Sequence, residues 1–171
     1  MLEHELQIAF EGIRGGDREA FACVYRDLSK PVYTVALRLL GQREAAEDVT
    51  QEIFLKLYQS PPDASVKHLR AWIFRMTHNL AIDMMRKQAP SSVAEDMCAE
   101  EDHALGEMTL RLDTARAMAH LPQHERAIVA LRIHGELSFA EIARTVGSSL
   151  PSTYRAYRRA LEKLREELGE E

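Results

Sequence analysis

The chain has 171 residues, a formal net charge of −5 and 46% apolar residues, a balance that fits one or two domains with a real core and sets aside disorder throughout. No apolar run approaches the roughly 20 residues needed to cross a bilayer, and the start, Met1-Leu2-Glu3-His4-Glu5, lacks the basic-then-apolar order of a signal peptide. No membrane insertion and a cytoplasmic location are therefore expected.

In chain order, the first block reads as all helix. Asp17, after Gly15-Gly16, can cap a helix whose apolar positions Phe21, Val24, Tyr25, Leu28, Val32, Val35, Ala36 and Leu39 follow helical spacing. Pro31 predicts a kink or break in it and Gly41 a stop. Cys23 reads as a small buried apolar residue; with Cys98 it makes only two cysteines, too few for a disulfide framework. A third helix is predicted from about Arg43 to Gln59, with Val49, Ile53, Phe54 and Leu57 inside and Glu44, Glu47, Asp48, Gln51, Glu52 and Lys56 outside. Ser60-Pro61-Pro62-Asp63 must be a loop. A fourth helix, about Lys67 to Lys87, is expected to bury Leu69, Ile73, Met76, Leu80 and Met84. Short connections between such helices predict a compact bundle.

The charge is uneven. Residues 1–88 hold twelve basic and twelve acidic side chains and residues 111–171 ten and nine, whereas residues 89–110 hold Glu95, Asp96, Glu100, Glu101, Asp102 and Glu107 with no Lys or Arg. This acidic stretch lacks a sustained apolar period and reads as a flexible linker, some of whose last residues can join the next helix. Screening over about 8 to 10 Å makes a binding face depend on local charge, so the negative total does not argue against nucleic acid.

The last block is read as a helix around Leu112 to Ala119, a second after Leu121-Pro122 to about Ile133, and a helix-turn-helix pair. Ser138-Phe139-Ala140-Glu141 is a capping box, Phe139, Ile142, Ala143 and Val146 form an apolar face, and Gly147 closes the helix. The next helix takes Pro151 in its first turn and carries Arg155, Arg158, Arg159, Glu162 and Lys163 up to residue 163, with no acid in its early half. A basic helix held by a scaffold helix suits a DNA major groove. Ser152, Arg155 and Arg159 make its most coherent outer stripe, with Arg158 beside it. Tyr154 belongs with the core by its spacing with Leu150, Tyr157, Leu161 and Leu164. The expected fold is all-α, two small helical domains joined by an acidic linker.

The fourth helix carries a second candidate surface. Arg75, Asn79, Asp83 and Arg86 fall on one side with Trp72 at its edge. Arg holds phosphates, an amide reads a base edge and an aromatic stacks on an unpaired base, so this side suits single-stranded DNA. The alternative for Trp72 is the core. Asp83 is better placed to orient a polar neighbour than to touch DNA.

Four runs in this order, Asp17-Arg18-Glu19-Ala20-Phe21, Ala46 to Phe54, Leu69 to Arg75 continuing to Asn79-Leu80-Ala81-Ile82-Asp83, and Leu121-Pro122 followed by Ser138 to Gly147, resemble the bacterial sigma factors of the extracytoplasmic-function type. The resemblance implies a subunit that docks on core RNA polymerase and reads the minus-ten and minus-thirty-five promoter elements with its first and second domains, for a stress or envelope-response regulon, under an anti-sigma factor. It assigns residues 1–88 to core polymerase and the minus-ten element, and 111–171 to the minus-thirty-five element. It turns Glu47, Asp48, Gln51 and Glu52 toward the clamp helices of the largest polymerase subunit; the alternative is a solvated helix face. It gives Trp72, Arg75, Asn79 and Arg86 to the opened strand, and Ser152, Arg155, Arg158 and Arg159 to the upstream duplex. It also places the loop from Ser60 to Lys67 beside a pocket for a flipped base, and Tyr154 toward DNA, against its core spacing; a boundary position reconciles the two. Where relatives commonly open the recognition helix with Gly-Thr-Val-Lys-Ser-Arg, this chain has Pro151, Ser152, Thr153, Tyr154, Arg155 and Ala156, so its basic groups are displaced.

Two other classes compete. A sigma mimic that sequesters an anti-sigma protein need not keep Arg75, Asn79, Arg86 and a basic recognition helix. A stand-alone duplex-binding regulator leaves the acidic third helix and the Trp72 to Arg86 track unexplained. Neither catalytic nor cofactor motifs are found, the histidines from His4 to His134 have no metal-ligand spacing, and Cys98 with His103 makes a poor metal pair.

Overall fold

The computed structural model of the chain describes residues 1–88 and 105–169, the side chains only outside 105–111. Eight helices run in order: α1 Glu3–Arg14, α2 Arg18–Leu40, α3 Arg43–Gln59, α4 Leu69–Lys87, α5 Leu105–His120, α6 Gln123–Ile133, α7 Phe139–Val146 and α8 Leu150–Leu168. No strand occurs among the described residues. Cys98, His103 and the acidic residues from Glu95 to Asp102 lie outside the described residues, and α5 starts at Leu105, within the stretch read as linker.

Local signals set most boundaries. Asp17 caps α2 by accepting the N–H groups of Glu19 and Ala20, and Gly41 ends it in the left-handed region at φ 70°. Pro31 does not break α2, which continues from Arg18 to Leu40; the helix faces on both sides of the proline are buried, and that packing outweighs one lost ladder bond. Ser138 and Glu141 form the expected capping box on α7. α4 starts at Leu69, its first apolar position, two residues later than expected.

The first-block core is lined by Leu6, Phe10, Val24, Leu28, Leu39, Ile53, Leu57, Leu69, Ile73 and Phe74, among others. Each such large apolar side chain contributes about 1.5 to 3 kcal/mol when fully buried. Met76, Leu80 and Met84 pack against this core only half-buried, because Phe74, Thr77 and Ala81 face it directly. Tyr25 is exposed, against its helical spacing, and Cys23 is only half-buried, its sulfur 3.3 Å from an Arg26 nitrogen, so neither belongs to the interior as expected.

The two helical blocks are packed together. Ile128 and Leu131 of α6 join the first-block core beside α2, while Val129 and Ala130 on the other side of α6 meet Ala160 and Leu164 of α8. Polar contacts reinforce the seam. Arg70 Nε donates to the Gly135 carbonyl at 2.8 Å and its NH2 lies 3.1 Å from Glu136. The Gly135-Glu136 turn is shaped for this: a Cβ on Gly135 would lie 2.6 Å from the Leu131 carbonyl, and Glu136 adopts φ 56°.

His134, in the same turn, is held neutral, its pKa pushed down to about 4 by burial and then by the neighbouring Arg38. Between about pH 6.5 and 4 the unfolded chain therefore binds more protons here than the native one, so the stabilisation is complete above the upper value and drains as the pH falls. Replacing His134 with Gln is expected to flatten the acid limb of stability in that window, read by denaturant titrations at pH 7 and pH 4.5; an unchanged slope would exclude this residue as a cause of acid sensitivity.

Candidate polymerase and DNA interfaces

On α3 the apolar residues Ala46, Val49, Ile53, Phe54 and Leu57 are spent on the core, which leaves Glu47, Asp48, Gln51 and Glu52 exposed on the opposite side. Glu52 pairs with Lys56 one turn on at 3.0 Å, an exposed i,i+4 contact of little energetic weight. The same outward stripe continues into Leu55 and Tyr58, which are 54% and 51% exposed. Tyr25 of α2 stands edge-on to Phe54 with ring centroids 4.8 Å apart, and Phe21 stands edge-on to Tyr58 at 5.1 Å. The face is thus an acidic and amide stripe ending in an exposed apolar and aromatic patch. Helical periodicity places Leu55 outward, four residues beyond Gln51.

On α4 the exposed side holds Arg75, Asn79, Asp83 and Arg86. Trp72 is half-buried against the first-block core and so lies at the margin of this side, between the two alternatives its position left open. The side is continuous with His68, one turn before Trp72, at the end of the loop that joins α3 to α4.

The helix-turn-helix pair is built as its sequence requires. Ser149 caps α8 by accepting the Ser152 N–H at 3.3 Å. α8 lies against its neighbours through small residues, Thr153, Ala156 and Ala160, with Leu164 further on. That close approach displaces larger groups sideways: Leu150 and Tyr154 are half-exposed, and Tyr154 meets Phe139 edge-on at 5.3 Å. Tyr154 therefore sits at the boundary between core and solvent. Arg155, Arg158 and Arg159 are exposed and Ser152 is partly so. Arg159 also braces the domain, its Nε 3.4 Å from Glu125, a buried acid that Lys163 approaches to 2.7 Å. The Lys163 to Glu125 ion pair joins α6 to α8 across 38 positions, a pairing that no helical period displays.

Among the described residues no group of three or more His, Cys, Asp or Glu side chains is placed to hold a metal, and no helix is long and apolar enough to cross a membrane.

Residues 24–90 match the family model described as Sigma-70 region 2, and residues 117–166 match the model described as Sigma-70, region 4, which together take in more than half of the chain. The chain is 25% identical to the ECF RNA polymerase sigma factor SigW of Bacillus subtilis, over 98% of both proteins. It is 31% identical to the ECF RNA polymerase sigma factor SigE of Mycolicibacterium smegmatis, over 81% of this chain and 57% of that relative. The chain belongs to the extracytoplasmic-function sigma factors. Two solved structures share the fold: CnrH in complex with the cytosolic domain of CnrY, TM-score 0.71 at 20% identity over 96% of this chain and 97% of that one; and the sigma factor RpoE in complex with the anti-sigma factor NepR from Bartonella quintana, TM-score 0.69 at 21% identity over 88% and 98%. In this sigma factor the region 2 match takes in most of α2, all of α3 and α4 and the loop between them, and the region 4 match takes in α6, α7 and most of α8; α1 precedes both.

Proposed function

We propose that this sigma factor docks on core RNA polymerase through the α3 face, holds the opened minus-ten strand along α4 and reads the minus-thirty-five duplex with α8. Residues 1–88 form the first module, the acidic stretch from 89 to the start of α5 the linker, and the block from α5 onward the second. The observation that carries this reading is the coexistence of three separate exposed surfaces on one chain: acidic and amide on α3, arginine and amide on α4, arginine on α8. Phosphates repel the first and attract the others, so a protein partner and DNA are served without competition. Holding unpaired bases favours the melted promoter without cutting a bond, so no catalytic residue, cofactor or metal is invoked. The site of action is the cytoplasm, where the polymerase is. An anti-sigma protein is the expected antagonist, as NepR is the named partner of the similar RpoE.

This division of labour requires the two modules to separate. Elements named for positions ten and thirty-five lie roughly 25 base pairs, or about 85 Å, apart along B-DNA at 3.4 Å per pair. In the closed packing, α8 contacts α7, and α7 contacts α4, so the two DNA-facing helices are only about two helix spacings of 8 to 10 Å apart.

The upstream reading is tested by Arg155→Ala and Arg159→Ala. Each is expected to weaken binding of the promoter's upstream element by about 1 to 3 kcal/mol for a contact bidentate to guanine, or to lower the salt slope by about one unit for a phosphate contact. Because Arg159 also braces Glu125, its variant must first retain native thermal stability. Unchanged affinity and salt slope in both variants would show that the recognition face has been misplaced.

A further inference from the structure

α1 lies before the region 2 match, yet it makes specific polar contacts with the loop that ends the α4 track. Three side chains one or two turns apart reach across from it. Glu3 accepts the N–H groups of Leu69 and Arg70 across 66 and 67 positions of sequence, and so caps α4, whose own N-cap residue His68 supplies no side-chain bond. Gln7 donates its amide to the carbonyls of Val66 and Lys67 at 2.9 and 3.3 Å. Arg14 donates to the Pro62 carbonyl at 2.9 Å. The loop is also folded on itself, Asp63 accepting the Ser65 N–H at 2.9 Å through its carboxylate and the Val66 N–H at 3.1 Å through its carbonyl.

These contacts grip the backbone of the loop, whose Pro62 is buried and whose Pro61 and Val66 are partly so. Asp63, Ala64, Ser65, Lys67 and His68 are exposed. A loop tied through its carbonyls and presenting polar side chains is organised before anything binds it, so little ordering entropy is lost on contact. Its position is also specific, since the stripe of Arg86, Asn79, Arg75 and Trp72 runs directly into His68. A single strand laid on that stripe meets the loop at its end, beside the half-buried Trp72.

We propose that α1 is the brace that fixes the loop from Ser60 to His68 as a reader of one unpaired promoter base, with Glu3, Gln7 and Arg14 as positioning residues that do not touch the DNA. The proposal rests on the reading of α4 as a single-strand track.

The test uses the full chain bound to core polymerase and a randomised pool of single-stranded DNA 12-mers, with bound species sequenced. Gln7→Met and Arg14→Met remove the donors at near-constant size. The native chain is expected to select a base at the loop end of the track by about tenfold, a preference that the double variant reduces to about twofold or less. Core affinity, helical content and selection at the remaining positions are expected to stay unchanged, and Arg14→Lys, which keeps a donor, to retain more selection than Arg14→Met. A merely structural role would lower all of these readouts together. If the double variant does not fold, each single variant is expected to give a partial loss confined to the same position. A folded variant that selects as the native chain does, or loses selection evenly along the track, overturns the brace and leaves the track standing. Absence of any selection by the native chain overturns the track and the brace with it.

Discussion

Reversing charge at Asp48 and Glu52 together, as Asp48→Lys and Glu52→Lys, is expected to weaken core polymerase binding by about a hundredfold, or about 3 kcal/mol. Both side chains are exposed on the free side of α3 while the opposite side of the helix fills the core. The fold should therefore survive: the local costs are the lost Glu52 to Lys56 pair and the like charges that then stand at positions 48, 52 and 56, each about 0.3 to 0.5 kcal/mol for an exposed i,i+4 contact. Leu55 and Tyr58 continue the same stripe, so Leu55→Asp should compound the loss. Binding titrations beside circular dichroism check this. Native affinity in a variant of native helicity would move the docking face off α3.

The second large effect is expected at the seam between the blocks. Arg70→Glu removes the bonds to Gly135 and Glu136 and sets two carboxylates against each other. The closed packing should lose about ten- to a hundredfold in population, about 1.4 to 2.8 kcal/mol. On the proposed division of labour only separated modules span both promoter elements, so the apparent promoter affinity should rise as the competent fraction rises, until that fraction saturates. Small-angle scattering should report a larger radius of gyration, and amides from Ala127 to Leu131 should exchange faster. If scattering and promoter affinity both match the native chain, Arg70 does not hold the blocks together.

The individual helices were legible because their signals are local. The capping box at Ser138, the Asp17 cap and the glycines at 41 and 147 act within a turn, and the 3.6-residue period of α3 separates its core face from its acidic face without reference to any partner. What escaped depends on residues far apart in sequence. Val24 and Tyr25 are equivalent by period, yet Val24 is buried while Tyr25 is half-exposed and stands edge-on to the buried Phe54. Pro31 marks a break by its own chemistry, which the packing of α2 overrides. The seam had one local clue. The run Ala127-Ile128-Val129-Ala130-Leu131 is apolar all round its helix, more than a surface helix of a small domain needs; one side serves α8 and the other the first block.

The candidate surfaces divide in the same way. Exposure of the α4 and α8 arginines followed from helical spacing, but the Glu125 pairing of Arg159 and the three-point grip of α1 on the α3–α4 loop are contacts between distant segments. No periodicity contains them. Polar side chains that bond to a remote backbone look, in sequence, like any solvated residue of an amphipathic helix.

Run-off transcription with purified core polymerase on a genomic fragment library tests the central claim most directly. The account predicts transcripts that start at discrete positions only when this chain is added, downstream of two shared elements about 25 base pairs apart, with the transcripts lost in the Asp48→Lys and Glu52→Lys chain. A native chain that binds core polymerase but starts no transcript, or starts transcripts without a shared upstream element, would contradict it.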